Sequence, residues 1–117
     1  MPTRILGLRY PRVARAARIE GVVQARCSVR SDGSVADVTI HSGHPLLVPE
    51  VKANLRRWRF QSSSRDERPT AEAVVTYDFK LRGRCDEYNR CDEEFWFEGP
   101  NRVIVLSEMP RLNPGHQ

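Results

Sequence analysis

The fold is decided by residues 10–60, which open as YPRVARAARIEG (10–21) and close as LRRWRF (55–60). Between these ends, two segments alternate apolar and polar residues, and Ser-Asp-Gly-Ser at 31–34 joins them. Alternation with a period of two is typical of half-buried strands. The Asp-Gly pair indicates a tight hairpin turn, because glycine accepts the positive φ that such a turn needs. This stretch therefore predicts a β-hairpin with helical segments before and after it.

The two strands of the hairpin are predicted over residues 22–30 and 35–41. In the first strand, the residues of one face are all apolar: Val23, Ala25, Cys27 and Val29. In the second strand, Val35 falls out of phase with Val38 and Ile40, which predicts a bulge near the turn. The hairpin therefore has one apolar face, which another layer of structure must cover.

Two helices are predicted to cover that face. Pro11 suits the first turn of a short helix, where its missing N–H costs nothing, and Gly21 either ends that helix or releases the chain into the first strand. The second helix follows a loop at residues 42–45, and its apolar residues recur at helical spacing: Leu47, Val51, Leu55 and Trp58. We expect this helix to lie on the inner face of the sheet, with Trp58 and Phe60 closing its far end.

The C-terminal half is predicted to add a third strand and a further hairpin. Residues 74–81 alternate again, after a polar and flexible link at residues 61–70. Two apolar runs, Phe95–Phe97 and residues 102–106, flank Gly-Pro-Asn at 99–101 and indicate the hairpin.

Together these elements predict an α+β fold with an antiparallel sheet. The second helix returns the chain, so the third strand runs antiparallel to the first, and the strand order is two-one-three plus the C-terminal hairpin. One edge of the third strand, residues 74–81, is then open. An open edge exposes unpaired backbone groups and is a template for pairing with another chain.

Length and composition indicate one domain with a mildly basic surface. The chain has 117 residues, a formal net charge of +4 and a pI near 9.3, and its only lysines are Lys52 and Lys80. No run approaches the ~20 apolar residues that a membrane-spanning helix needs. The excess of arginine allows an anionic partner as an alternative to a plainly solvated surface.

The three cysteines divide into a pair and a single residue. Cys85 and Cys91 bracket a short polar loop, and a disulfide between them would stabilise the fold by about 2 kcal/mol. Two free thiols in the same loop are the competing interpretation. Cys27 lies alone on the apolar face of the first strand, where we expect it to be a small buried hydrophobic residue.

The sequence gives little indication of catalysis, of a metal or of a cofactor. His41 and His44 are three residues apart, but a metal site needs further ligands that the nearby sequence lacks. No Ser/His/Asp or Cys/His set stands in a recognisable context. We therefore expect a protein that is not an enzyme and that uses no cofactor.

The ordered set of motifs resembles the C-terminal domain family of TonB, the periplasmic end of a bacterial energy transducer. The Tyr-Pro opening of that family is here Tyr10-Pro11, and its Ile-Glu-Gly step is residues 19–21. Its Asp-Gly turn, Ser-Gly loop and Trp-Arg-Phe helix end stand at residues 32–33, 42–43 and 58–60. The resemblance covers about residues 10–82. With the residue patterns on either side, the chain is expected to divide into four segments: an N-terminal arm (1–9), a TonB C-terminal-like domain (10–82), a cysteine loop with an additional hairpin (83–107) and a flexible tail (108–117).

The resemblance implies a binding domain. In this family a short segment of an outer-membrane transporter, the TonB box, adds as a strand beside the third strand, a mode called β-augmentation. Carried onto this sequence, the residues that bind the partner are Val74, Val75, Thr76, Tyr77, Asp78 and Phe79, together with Arg9 and Tyr10. Proline at Val75 or Tyr77 is then expected to abolish binding.

The resemblance also implies a location and partners. The partner is a TonB-dependent outer-membrane transporter, and inner-membrane motor proteins would act through N-terminal regions that this sequence lacks. We expect either a domain excised from a longer transducer, in the periplasm and tethered to the inner membrane, or a stand-alone relative. A disulfide between Cys85 and Cys91 fits that oxidising compartment.

Three alternatives depend on the segments that differ from the family pattern. If the C-terminal hairpin pairs with residues 74–81, the edge is closed and the domain is a scaffold or sensor module. If the hairpin exchanges between two copies, the domain is a homodimer. A basic face of arginines could bind nucleic acid, but the aromatic residues do not alternate with the arginines as stacking platforms do, so nucleic acid is not expected.

Overall fold

The computed structural model describes residues 2–4, 7–61, 71–99 and 101–111, which form two helices and two sheets. The elements are β1 (Pro2–Arg4), α1 (Arg12–Ala16), β2 (Gly21–Val29), β3 (Val35–Ser42), α2 (Val48–Arg56), β4 (Arg59–Phe60), β5 (Ala71–Arg84), β6 (Glu93–Glu98) and β7 (Arg102–Met109). Strands β1 and β4 form a small antiparallel sheet. The other five strands form the main sheet in the order β3-β2-β5-β7-β6.

The N-terminal part of the main sheet follows the sequence prediction. Strands β2 and β3 form the predicted antiparallel hairpin, and β5 pairs antiparallel with β2, so the order two-one-three is confirmed. The register of the hairpin shifts between Ser28 and Val29, which is the predicted bulge. At the turn Gly33 has φ +93°, a conformation that few residues other than glycine adopt. The α+β class is therefore confirmed.

The prediction of a wholly antiparallel sheet is wrong, because β7 pairs with β5 in parallel. The predicted C-terminal hairpin does form, but its second strand lies next to β5 and its first strand lies outermost. Composition explains this order. Strand β7 carries three consecutive buried apolar residues, Val103–Val105, whereas β6 carries three glutamates. A strand apolar on both faces is stabilised at an inner position of a sheet, and a charged strand at its edge.

The core lies between the inner face of the main sheet and a layer formed by residues 7–19 and α2. Helix α2 buries Val51, Asn54 and Leu55 against the sheet. Trp58 and Phe60 follow the helix and are both buried, as predicted. The predicted link at 61–70 and tail at 108–117 fall largely outside the described residues, which include only Gln61 of the link and residues 108–111 of the tail.

The predicted disulfide joins Cys85 to Cys91. It connects the end of β5 to the start of β6 across a loop that further contacts fix in place. The Cys85 N–H donates to the carbonyl of Met109, and the Arg111 Nε–H donates to the carbonyl of Cys85. The disulfide loop therefore fastens both ends of the β6–β7 hairpin to the end of β5.

The buried thiol of Cys27 provides a test of the core through pH. Burial raises its pKa from 9.0 to about 11, while a backbone hydrogen bond to Ala73 acts in the opposite direction. Between these two pKa values the unfolded chain releases a proton that the folded chain keeps. The free energy of unfolding should therefore fall as pH rises, by about 1 kcal/mol between pH 9 and pH 10. Urea unfolding at pH 7, 8, 9 and 10 measures this, and a Cys27→Ala variant that shows the same fall would contradict the assignment.

Within the described ranges, no helix has the length and apolar character that crossing a membrane requires.

Candidate functional site: the edge of β5

The strand that the sequence assigns to partner binding, β5, presents two different faces. Its odd-numbered residues, Val75, Tyr77 and Phe79, point into the core and are fully buried. Its even-numbered residues, Val74, Thr76 and Asp78, lie on the opposite face, away from the helices, because successive side chains of a strand alternate. Of these, Val74 is 41% exposed and Asp78 is 8% exposed. Within residues 74–79, only the even-numbered side chains and the strand edge can therefore meet a partner.

The inner face of β5 is fixed by a buried hydrogen-bonded cluster around Asn54. The Tyr77 hydroxyl and the Trp58 indole N–H both donate to Asn54 Oδ1, at 2.9 and 2.8 Å. The Asn54 amide donates to the carbonyl of Gly7 at 3.4 Å. Burial, and then the nearby Cys27, raise the pKa of Tyr77 well above its ordinary value, so the hydroxyl stays a donor. This cluster holds α2, β5 and the N-terminal segment together.

The outer face carries a network of charges between β5 and β7. Arg102 Nη2 lies 2.5 Å from Asp78 Oδ2, and Lys80 Nζ lies 3.7 Å from the same oxygen. Because the Asp78 side chain is largely buried, this pair loses less to solvent screening than an exposed pair does. The Arg102–Asp78 pair therefore joins β7 to β5 at the middle of the proposed binding strand.

The expectation that residues 74–81 have a fully open edge is wrong. The Thr76 N–H donates to the carbonyl of Asn101 at 2.9 Å, and the register then runs from Thr76 opposite Arg102 to Leu81 opposite Ser107. The C-terminal hairpin thus pairs with most of this edge, as in the alternative in which the hairpin pairs with residues 74–81.

The first part of β5, residues 71–75, has no strand on that side among the described residues. In a strand, the N–H and C=O groups of every second residue point to the same side. Since those of Thr76 face β7, the N–H and C=O groups of Glu72 and Val74 point to that side as well. A groove of about 320 Å³ lies here, in line with β7. It is lined by Val29, Phe60, Gln61, Ala71, Glu72, Ala73, Val74 and Asn101. An extended segment of a few residues fits beside this part of the strand.

The two remaining predicted contact residues, Arg9 and Tyr10, are not part of the lining of the 320 Å³ groove. The Tyr10 side chain is buried, its ring edge lies on Phe79 with centroids 5.4 Å apart, and its hydroxyl donates to the carbonyl of Ile19. Its N–H donates to Glu93 Oε1 at 3.0 Å. Burial raises the pKa of this tyrosine. Tyr10 therefore positions the core, while Arg9 is exposed and can contact a partner.

Two residues of this site, Asn54 and Arg102, are absent from the sequence prediction. Asn54 falls on the apolar face of α2, between Val51 and Leu55. A lone polar residue at such a position signals a buried hydrogen bond, so the sequence did contain a sign of it. No comparable signal marks Arg102, because its partner depends on which strand of the hairpin lies next to β5.

The two histidines of the sequence analysis are exposed, and His44 Nδ1 accepts the N–H of Leu46 at 3.0 Å. In the part of the chain that the structure describes, His, Cys, Asp and Glu side chains form no group of three that could hold a metal ion.

A family model, individual relatives and a solved structure all match this chain, and all of them are TonB C-terminal domains or proteins that contain one. The family model for the Gram-negative bacterial TonB protein C-terminal matches residues 7–81, which end within β5. Protein TonB of Escherichia coli (strain K12) is 40% identical over 76 residues, which cover 63% of this chain and 30% of that protein. Protein TonB of Klebsiella pneumoniae is 38% identical with the same coverage.

A solved structure also matches. The solution NMR structure of the Pseudomonas aeruginosa TonB CTD has a TM-score of 0.59 and 30% sequence identity, and the match covers 72% of this chain and 88% of that one. The chain spans only 30% of the length of the E. coli and K. pneumoniae relatives. Since the family model matches well over half of its residues, the chain belongs to the Gram-negative bacterial TonB protein C-terminal family.

Proposed function

We propose that this domain is the non-enzymatic, periplasmic coupling end of a TonB-like energy transducer, and that it binds an extended TonB-box segment of an outer-membrane transporter by β-augmentation on β5. The proposed contact residues are Val74–Phe79, together with the exposed Arg9, which does not line the groove. In a complete transducer, regions N-terminal to this domain would tether it to the inner membrane and to motor proteins. The domain itself needs no cofactor for this role.

The observation that carries the proposal is the first part of β5, which has no partner strand on the β7 side among the described residues and lies beside a groove with apolar lining. Backbone hydrogen bonds from Glu72 and Val74 would supply affinity, and the groove between Val29, Phe60 and Ala73 would receive one apolar side chain. The family match supports this site, because it covers the whole of residues 71–81 and none of β6 or β7.

A segment that reaches Phe79 has to replace β7, which now pairs with Thr76–Leu81. Such an exchange breaks the Arg102–Asp78 pair and the backbone bonds of β7, and the new strand forms equivalent backbone bonds in their place. The apparent affinity for such a segment is then the intrinsic affinity multiplied by the fraction of molecules in which β7 has left β5. Binding should begin at residues 71–75, where no exchange is required.

The pairing of β7 with β5 also favours a second candidate, a scaffold or self-associating module whose edge stays closed. In that case β5 has no exchangeable partner, and any dimer would form through the C-terminal hairpin.

An amide NMR titration with TonB-box peptides of candidate transporters distinguishes the two candidates. The proposal predicts saturable shifts that begin at residues 71–75 and extend toward Phe79, together with faster hydrogen exchange in β7. A scrambled peptide of the same composition is the control. Shifts absent from β5 at millimolar peptide, with slow exchange along all of β7, would contradict the proposal, and a concentration-dependent mass would then identify self-association.

A further inference from the structure

The outermost strand of the main sheet, β6, has an unpaired edge on the described part of the chain. The Glu108 N–H donates to the carbonyl of Asp92 at 3.1 Å, so the backbone groups of Asp92 and every second residue from it face β7. Those of Glu93, Phe95 and Phe97 face away from the sheet. We propose that this edge is a second recipient for an extended segment of a partner, and that the segment carries lysine or arginine side chains.

The side chains of β6 show why the edge suits a partner. Phe95 is 39% exposed and Trp96 is 40% exposed, and they lie on opposite faces of the strand. A strand edge with exposed aromatic residues on both faces is a site for pairing unless something protects it. An added strand would bury part of both rings and satisfy the three outward-facing backbone positions at once.

Charge selects the kind of partner. Residues 92–98 carry Asp92, Glu93, Glu94 and Glu98 and no basic residue, in a chain whose formal net charge is +4. Glu93 already accepts the Tyr10 N–H and lies 3.3 Å from Arg15, and Glu98 Oε1 lies 4.0 Å from Arg102 Nε, but Glu94 has no ion pair among the described contacts. Opposite charges on neighbouring strands stabilise a sheet, and like charges destabilise it. The edge therefore favours a basic segment.

The same charges disfavour a second copy of this chain. An antiparallel pairing of two β6 strands would bring the glutamates at one end of β6 opposite Glu98 of the other copy, and like charges directly opposite each other are destabilising. A hollow beside the edge instead suits a long basic side chain. It has a volume of about 370 Å³ and is lined by Leu8, Arg9, Cys91, Asp92, Glu93, Glu94 and Phe95.

The edge lies two strands away from β5, and residues 93–98 are outside the span of the family match. The inference is thus independent of the proposed function of β5. The two sites also differ in the chemistry of their walls, since the groove at β5 has mostly uncharged lining and the hollow at β6 has three carboxylates.

The test is an amide NMR titration of the whole chain with a capped nine-residue peptide of alternating lysine and valine. A peptide with glutamate in place of lysine is the matched probe. We expect saturable shifts at residues 93–98 for the lysine peptide alone. The double variant Glu94→Gln/Glu98→Gln should weaken binding roughly 3- to 10-fold, and added salt should weaken it further.

Matched variants separate charge from backbone pairing. Asp37→Asn removes a charge from β3, at the opposite edge of the same sheet, and should leave the affinity unchanged. Phe95→Pro removes an outward-facing N–H and should weaken binding several-fold more than Phe95→Ala does. The inference fails if the lysine peptide causes no shifts at residues 93–98, if both peptides bind equally, or if the shifts there follow protein concentration and so report a second copy.

Discussion

Replacing Asn54 with leucine is expected to lower the free energy of unfolding by about 2–4 kcal/mol, although leucine has a similar volume and better helix propensity. The loss arises because Asn54 Oδ1 accepts two buried donors, the Tyr77 hydroxyl and the Trp58 indole N–H. The leucine side chain has no hydrogen-bond acceptor for either donor, and each buried donor without a partner costs about 1–3 kcal/mol. Urea unfolding followed by circular dichroism measures the change.

A second substitution shows whether this cost comes from unpaired donors. Tyr77→Phe removes one of the two donors and should cost about 1 kcal/mol in the wild type. In the Asn54→Leu background the same change should cost less, or should stabilise, because the hydroxyl no longer has that acceptor. Additive effects of the two substitutions, or a loss below 1 kcal/mol for Asn54→Leu, would show that the cluster does not hold these elements together.

Val74→Pro is expected to weaken binding of a TonB-box peptide at least tenfold and to change stability by less than about 1 kcal/mol. The Val74 N–H faces the unpaired side of β5, so proline removes the donor that the partner strand would use and leaves the ladder with β2 intact. Val74→Ala is the control for the side chain. Peptide titration and urea unfolding of the three proteins give both quantities.

The sequence-based choice of Val75 and Tyr77 for proline is less informative. Their N–H groups face β2, where Val75 lies opposite Ala25 and Tyr77 opposite Val23. Proline there breaks the sheet and costs about 3 kcal/mol, so that lost binding would only report lost structure. Equal binding by Val74→Pro and Val74→Ala would exclude β-augmentation at the first part of β5.

The parts of the fold that local patterns determine were predictable. The Asp32-Gly33 turn sets the β2–β3 hairpin, and the helical spacing from Val51 to Trp58 sets α2 and its buried face. The alternation of residues 74–81 predicted the third strand, which in the structure is longer, Ala71–Arg84. These signals depend on neighbours within about ten residues, which is why a single sequence carries them.

The arrangement of the C-terminal hairpin was not predictable from the same patterns. The sequence predicts strands within residues 93–98 and 102–109, but not which of them lies next to β5. That position goes to the strand that gains more from burial on both faces, which is β7. The state of the β5 edge follows from which strand takes that position. The direction of each β5 backbone group was equally inaccessible, because it depends on register with β2 and β7 and not on side-chain type.

The parallel pairing of β5 with β7 determines when the sheet can close during synthesis. The pairings of β5 with β2 and of β2 with β3 involve residues before Arg84, whereas β7 ends at Met109 and is the last of the described strands to be made. A parallel pair cannot form through a tight turn, so β7 reaches β5 only after the disulfide loop and β6 have been added. A nascent chain therefore exposes the whole β5 edge until its final strand arrives. During that interval the domain is open to pairing with a neighbouring chain, and the bond between Cys85 and Cys91 would hold only the start of β6 at the end of β5.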